Sequence, residues 1–181
     1  MRRRRRGLLG AVVAGLTVLA SFLVAPTPAQ AYGYLTVKTA RIYTNAGCSR
    51  AGDGVMLPVT RVSGGCMLYD SADNTFFQDD AGGIAMKFEL HDSQGMVGKV
   101  EFHPYDEKVY VYDTRNDGDT IYVKTRIGSG SLRGPYSPTG TSNPIDYTVV
   151  DHDAAEGATF YVYIYDDAAG SDLIVSMYGI A

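Results

Sequence analysis

Residues 84–103 read IAMKFELHDSQGMVGKVEFH, and this stretch decides the fold. Apolar and polar side chains alternate through both halves, the period of a strand with one buried face. Ser93-Gln94-Gly95 between them is a three-residue loop, and its glycine supplies the left-handed position of a bulged turn. Folding the chain about Gln94 sets Met86 opposite Phe102 and Phe88 opposite Val100 on one face. On the other face Lys87 meets Glu101, and Glu89 meets Lys99. Two apolar pairs and two complementary charge pairs from one register predict an antiparallel hairpin with a core face and a solvated polar face.

The same alternation recurs on both sides of this hairpin, in segments rich in Val, Ile, Thr and Tyr. It predicts strands at Leu35–Tyr43, Val55–Val59, Cys66–Tyr69, Ile84–His91, Met96–His103, Lys108–Tyr112, Thr120–Ile127, Ile145–Val150, Thr159–Tyr165 and Leu173–Met177. No helical periodicity of useful length follows Ala31. The pattern predicts an all-β, single-domain antiparallel β-sandwich, with a partly closed β-barrel as the alternative. A second hairpin is expected from Lys108 to Ile127 about the Asp113–Asp119 turn, with Val109, Val111, Ile121 and Val123 inward. Gly128 to Pro144 reads as one long loop of Gly, Ser, Pro and Thr, exposed and mobile.

The first 31 residues have a different character. Arg2 to Arg6 precede an apolar run from Gly7 to Ala25, Pro26 and Pro28 break it, and Ala29-Gln30-Ala31 follows. This is the layout of a secretory signal cut after Ala31, which predicts a leader at 1–31 and a secreted, extracellular domain at 32–181. Arg5-Arg6-Gly7-Leu8-Leu9 loosely resembles a twin-arginine signal, and the export route stays open. The prolines and the cleavage motif argue against a retained membrane anchor.

Removing the leader changes the charge. The chain has 16 Lys+Arg and 20 Asp+Glu, and five of the arginines lie in the leader, leaving 11 against 20, a net of −9. Such a domain repels nucleic acid and anionic lipid and favours cations or basic partners. The two cysteines, Cys48 and Cys66, predict one disulfide in an oxidising compartment. Its loop of 17 intervening residues is worth about 3 kcal/mol in the chain-entropy account.

Candidate chemistry is sparse. Glu89-x-His91 and Glu101-x-His103 place carboxylates and imidazoles on alternate positions of two strands. His91, His103 and Glu101 are therefore the candidates for acid–base or zinc chemistry, with a solvated polar face as the plainer reading. His152, between Asp151 and Asp153, reads as a loop residue in a turn or cap. There is no Gly-x-Ser-x-Gly elbow and no His-Glu-x-x-His.

Calcium is the one cofactor the composition suggests, since acidic loops at the ends of a β domain offer oxygen ligands. Asp113, Asp117 and Asp119 form the densest such set. The stretch superficially resembles an EF-hand loop, but with Gly118 at the glycine position Arg115 falls where a ligand belongs. Tyr110, Tyr112 and Tyr122, with Tyr161, Tyr163 and Tyr165, are expected outward in rows that suit stacking on sugars or polymers. Leu132-Arg133-Gly134 in the 128–144 loop is a candidate reactive segment for a trypsin-like enzyme.

These features favour a secreted, monomeric, non-catalytic binding domain for an extracellular ligand, whether glycan, protein or cation, stabilised by calcium in one version. A small secreted hydrolase with a His/Asp/Glu site is the alternative, and an enzyme inhibitor is third.

Overall fold

The computed structural model describes residues 32–52, 57–139 and 144–181; the expected leader at 1–31, and Val55 and Met56 of one expected strand, lie outside the described residues. The chain is all-β and antiparallel, as the alternation requires. Its first strand is β1 (Thr36–Tyr43). Three short strands follow, β2 (Thr60–Val62), β3 (Gly65–Leu68) and β4 (Thr75–Gln78). The central hairpin is β5 (Ile84–Asp92) and β6 (Gly95–His103). Then come β7 (Lys108–Asp113), β8 (Tyr122–Ile127), β9 (Arg133–Tyr136), β10 (Asp146–Asp151), β11 (Thr159–Tyr165) and β12 (Leu173–Ile180).

The large sheet runs β10-β7-β6-β5-β12-β11-β8-β9, with β1 also on β5, and curls into a nearly closed barrel. A small sheet, β2-β3-β4, lies outside it. The β5–β6 register is the one the sequence predicts: Met86 faces Phe102, Phe88 faces Val100, Lys87 faces Glu101 and Glu89 faces Lys99. Alternate residues fill the barrel, among them Val109, Val111, Ile121, Val123, Phe160, Val162 and Ile164. Phe102 stacks on Phe160 across this core with ring centroids 4.2 Å apart. The two halves of the sheet join where β12 meets β5 at Ile180 and Ile84. Gly179 sits at that crossing, where a side chain would strike the Ile84 carbonyl and the Phe102 ring.

The small sheet has its own core. Cys66, Leu68 and Phe77 pack with Cys48 against Ala40, Ile42 and Ala85 on the outer side of β1 and β5. The Cys48–Cys66 disulfide forms, with Cα atoms 5.7 Å apart.

Three expectations need correction. The β7–β8 hairpin does not form: β7 pairs with β6 and β10, while β8 pairs with β11 and β9. The connector instead turns on itself, the Asp113 carboxylate accepting the Arg115 N–H and Asp117 that of Asp119. Arg115 binds Asp92 through two hydrogen bonds of 2.5 and 2.8 Å, and the Thr114 hydroxyl donates to the Met96 carbonyl at 2.9 Å. These contacts tie the connector to the β5–β6 turn and send β8 to the far wall. The Gly128–Pro144 stretch contains β9, because pairing with Val123 and Thr125 outweighs its loop-like composition. Pro135 is tolerated there because β9 is an edge strand. Finally, Leu57 to Val59 carries no strand, and both residues pack on the small core while β2 begins at Thr60.

Candidate functional site

The outer face of β5 and β6 carries Lys87-x-Glu89-x-His91 and, antiparallel to it, Lys99-x-Glu101-x-His103. This face is not solvated. Lys87 and Lys99 are both 0% exposed, and Glu89 and Glu101 are buried with them. The turn between β3 and β4 covers them and inserts Asp70. Its Oδ2 accepts hydrogen bonds from Lys87 Nζ at 2.6 Å and Lys99 Nζ at 3.2 Å. Its Oδ1 accepts the backbone N–H groups of Ala72, Asp73 and Asn74 at 2.8, 3.1 and 3.2 Å. Asp70 draws both ammonium groups toward the centre, so ion pairs run along each strand, Lys87 to Glu89 at 3.0 Å and Lys99 to Glu101 at 2.9 Å.

The electrostatics follow from this geometry. Burial pushes the Asp70 carboxyl up, but the Lys87 hydrogen bond, the Ala72 N–H and both lysine charges hold it well below the usual carboxylate range. Burial likewise opposes charge on Glu101, and the His103 hydrogen bond and Lys99 overcome it to lower its pKa. Lys99 moves upward for the matching reason, its burial being outweighed by Glu101, Asp73 and Asp70. Among the described residues, Asp70, Asp73 and Glu101 are grouped closely enough to hold a metal. The Lys99 ammonium is ion-paired to all three, so that charge is already countered.

His91 and His103 fall at opposite ends of this network. His91 Nε2 lies 3.0 Å from Glu89 Oε2, and His103 Nε2 lies 2.9 Å from Glu101 Oε2. His91 pairs with Met96 at the hairpin turn, and the seven residue steps from Met96 to His103 span roughly 23 Å. The structure therefore gives each histidine its own glutamate and brings the two histidines to no common centre. His103 is held between the Phe77 and Tyr110 rings, both centroids at 4.7 Å. His91 lines an open depression with Tyr32, Tyr34 and Ser93.

Asp113, Asp117 and Asp119 lie at the end of β7 and on the connector to β8, near the Tyr32 hydroxyl and Asp166. Burial first, then Asp117, Asp146 and Asp119, push the Asp113 carboxyl up to about 6, against the Arg115 N–H. His152 is in a loop, its Nε2 3.4 Å from the Thr125 hydroxyl. It is buried beside Phe160 and Tyr136, with ring centroids at 5.0 and 5.7 Å. Burial, then the Arg133 charge, lower its pKa to about 4. Arg133 itself is exposed on β9, opposite Thr125.

The six tyrosines separate into two groups. Tyr110 and Tyr112 stack with Tyr147 beside the buried network, where the Tyr112 ring lies 4.2 Å from Lys99 Nζ and is itself buried. Tyr122, Tyr161, Tyr163 and Tyr165 line the outer face of β8 and β11, half-buried, while among the described residues the small sheet packs on β1 and β5. Register builds cross-strand rows there: Arg126, Tyr161 and Tyr178, then Lys124, Tyr163 and Ser176. The Arg126 guanidinium lies 4.3 Å from the Tyr161 centroid, and Arg41 from β1 lies 4.0 Å from that of Tyr178. The Tyr161 and Tyr163 rings are within 19° of parallel, with centroids 6.4 Å apart. Arg41, Arg126, Lys124 and Tyr178 are additions to the sequence reading. The alternation of β8 carries a signal for Lys124 and Arg126, but only the strand order sets them beside β11.

Comparisons with protein-family models, curated proteins and solved structures find no match to this chain.

Proposed function

We propose that the chain is a secreted, non-catalytic binding domain whose ligand seat is the tyrosine–cation face of β8, β11 and β12. One observation carries this reading: Arg126, Tyr161, Tyr178 and Arg41 form a continuous row of alternating cations and rings. Parallel aromatic rings offer area for stacking at little entropic cost, and flanking cations add direction. The signal-like residues 1–31 and the single disulfide support an extracellular setting.

The test is affinity gel electrophoresis of the purified protein against a panel of neutral and acidic polysaccharides. Retardation by at least one polymer is expected, with loss of that retardation in Tyr161→Ala/Tyr178→Ala at an unchanged melting temperature. Retardation that the double change leaves intact, or none across the panel, overturns the assignment.

A further inference from the structure

The cations of this acidic domain are unevenly used. Arg61, Lys87, Lys99, Lys108 and Arg115 each meet a carboxylate within ion-pair distance. Among the described residues, six cations have no such partner: Lys38, Arg50 and Arg133 elsewhere, and Arg41, Lys124 and Arg126 on or beside the tyrosine face. Arg41 donates to the carbonyls of Tyr178, at 2.6 Å, and of Ala51, and Lys124 donates to the Ala169 carbonyl at 2.7 Å. The Arg126 Nε is buried with no hydrogen-bond partner. With 20 acidic side chains against 11 basic ones after residue 31, three of the six cations without a carboxylate partner share this one face. It leaves donors and positive charge beside flat aromatic rings.

We infer that this face binds an acidic polysaccharide of the uronate type, its sugar rings stacked on Tyr161 and Tyr178 and its carboxylates on Arg126 and Lys124. The inference rests on the binding reading above and specifies its ligand. A neutral glycan would use the rings and leave the cations idle. A carboxylate would meet the guanidinium in a charge-assisted hydrogen bond, which is about twice as strong as a neutral one. Nucleic acid is disfavoured, because its dense phosphates meet the field of a domain with net charge −9 and only a few cations on this face. A uronate polymer combines ring faces for stacking with carboxylates at lower charge density.

The experiment compares four probes in the same gels: polygalacturonate, its methyl ester, dextran and dextran sulfate. Binding to polygalacturonate is expected, with at least a tenfold weaker association for the methyl ester. Tyr161→Ala and Arg126→Gln should each weaken polygalacturonate binding by about tenfold, and Lys124→Gln by less. Melting curves confirm folding, and Lys124→Gln, whose residue is not in the core, serves if Arg126→Gln misfolds. Equal binding of polymer and ester, or binding to dextran alone, overturns the acidic ligand and leaves the tyrosine seat standing. Binding to dextran sulfate and polygalacturonate alike, unchanged by Tyr161→Ala, overturns both the ligand and the seat. Failure to bind any of the four overturns the acidic ligand, while the wider panel decides the seat.

Discussion

The outer faces of β5–β6 and of β8–β11 are built from the same kind of sequence, and they have opposite fates. Each is the polar half of an alternating strand pair, with lysine or arginine set beside glutamate or tyrosine. The β5–β6 face lies under the small sheet and its Asp70 turn, and its two lysines lose all contact with water. Among the described residues the β8–β11 face has no such cover, and its cations rest on aromatic rings. An ammonium in water needs no partner, whereas one taken out of water must be paired and hydrogen-bonded throughout. The covered face pairs its lysines with Asp70, Glu89, Glu101 and Asp73, whereas Lys124 and Arg126 on the open face stay half-exposed against aromatic rings.

The largest effect should come from breaking the covered face. Asp70→Ala leaves two buried lysines short of a counter-ion and frees three backbone N–H groups, so a loss of about 4 kcal/mol in urea unfolding is expected. Arg126→Ala on the open face should cost about 0.5–1 kcal/mol. Equal losses would erase the distinction between the faces. Next in size is the staple of the covering layer. Replacing Cys48 and Cys66 together by alanine should cost about 2–4 kcal/mol. It should also speed amide exchange in β2–β4 before β11 and β12. Uniform acceleration over both sheets would show that the small sheet is no separate cover.

A third prediction concerns pH, through a buried group belonging to neither face. His152 has a folded pKa lowered to about 4, so the unfolded chain takes up its proton first as pH falls. Its contribution is whole above about pH 6.5 and is lost progressively toward pH 4, amounting to about 3 kcal/mol. His152→Gln should flatten the stability profile over that window. An unaltered slope would mean that other groups set it.

Asp113 works in the opposite direction and by less. Its folded pKa is raised to about 6, so the cost of its charge appears as pH climbs from about 4 to 6. Asp113→Asn keeps an acceptor for the Arg115 N–H and should add about 1 kcal/mol at pH 7 in chelator, with no gain near pH 3.5. The calcium reading of Asp113, Asp117 and Asp119 predicts a reversal. In about 1 mM calcium, with magnesium as control, a bound ion would add roughly 1.4 kcal/mol that Asp113→Asn removes. The same gain from Asp113→Asn in chelator and in calcium would remove the ion from the account.

Much of the fold is legible in the sequence because its rules are local. Alternation tells which way each side chain points, and this placed Val109, Val111, Ile121 and Val123 in the core. The hairpin register followed from matching residues at most 16 positions apart. The disulfide followed from having two cysteines to pair. Of the candidate site, the tyrosines and the Glu-x-His repeats were visible as patterns. Their surroundings were not.

What only the tertiary structure decided is which polar face is covered and which strands become neighbours. A period of two separates inside from outside for one sheet and is silent about a second layer laid on the outside. Lys87 is buried because Asp70, 17 residues earlier, closes over it, and nothing within β5 differs from a solvated strand. Similarly, Tyr112 and Tyr163 occupy equivalent outward positions in their strands. One is buried against Lys99 and the other stays half-open beside Arg126, because burial depends on what a distant segment brings to the face.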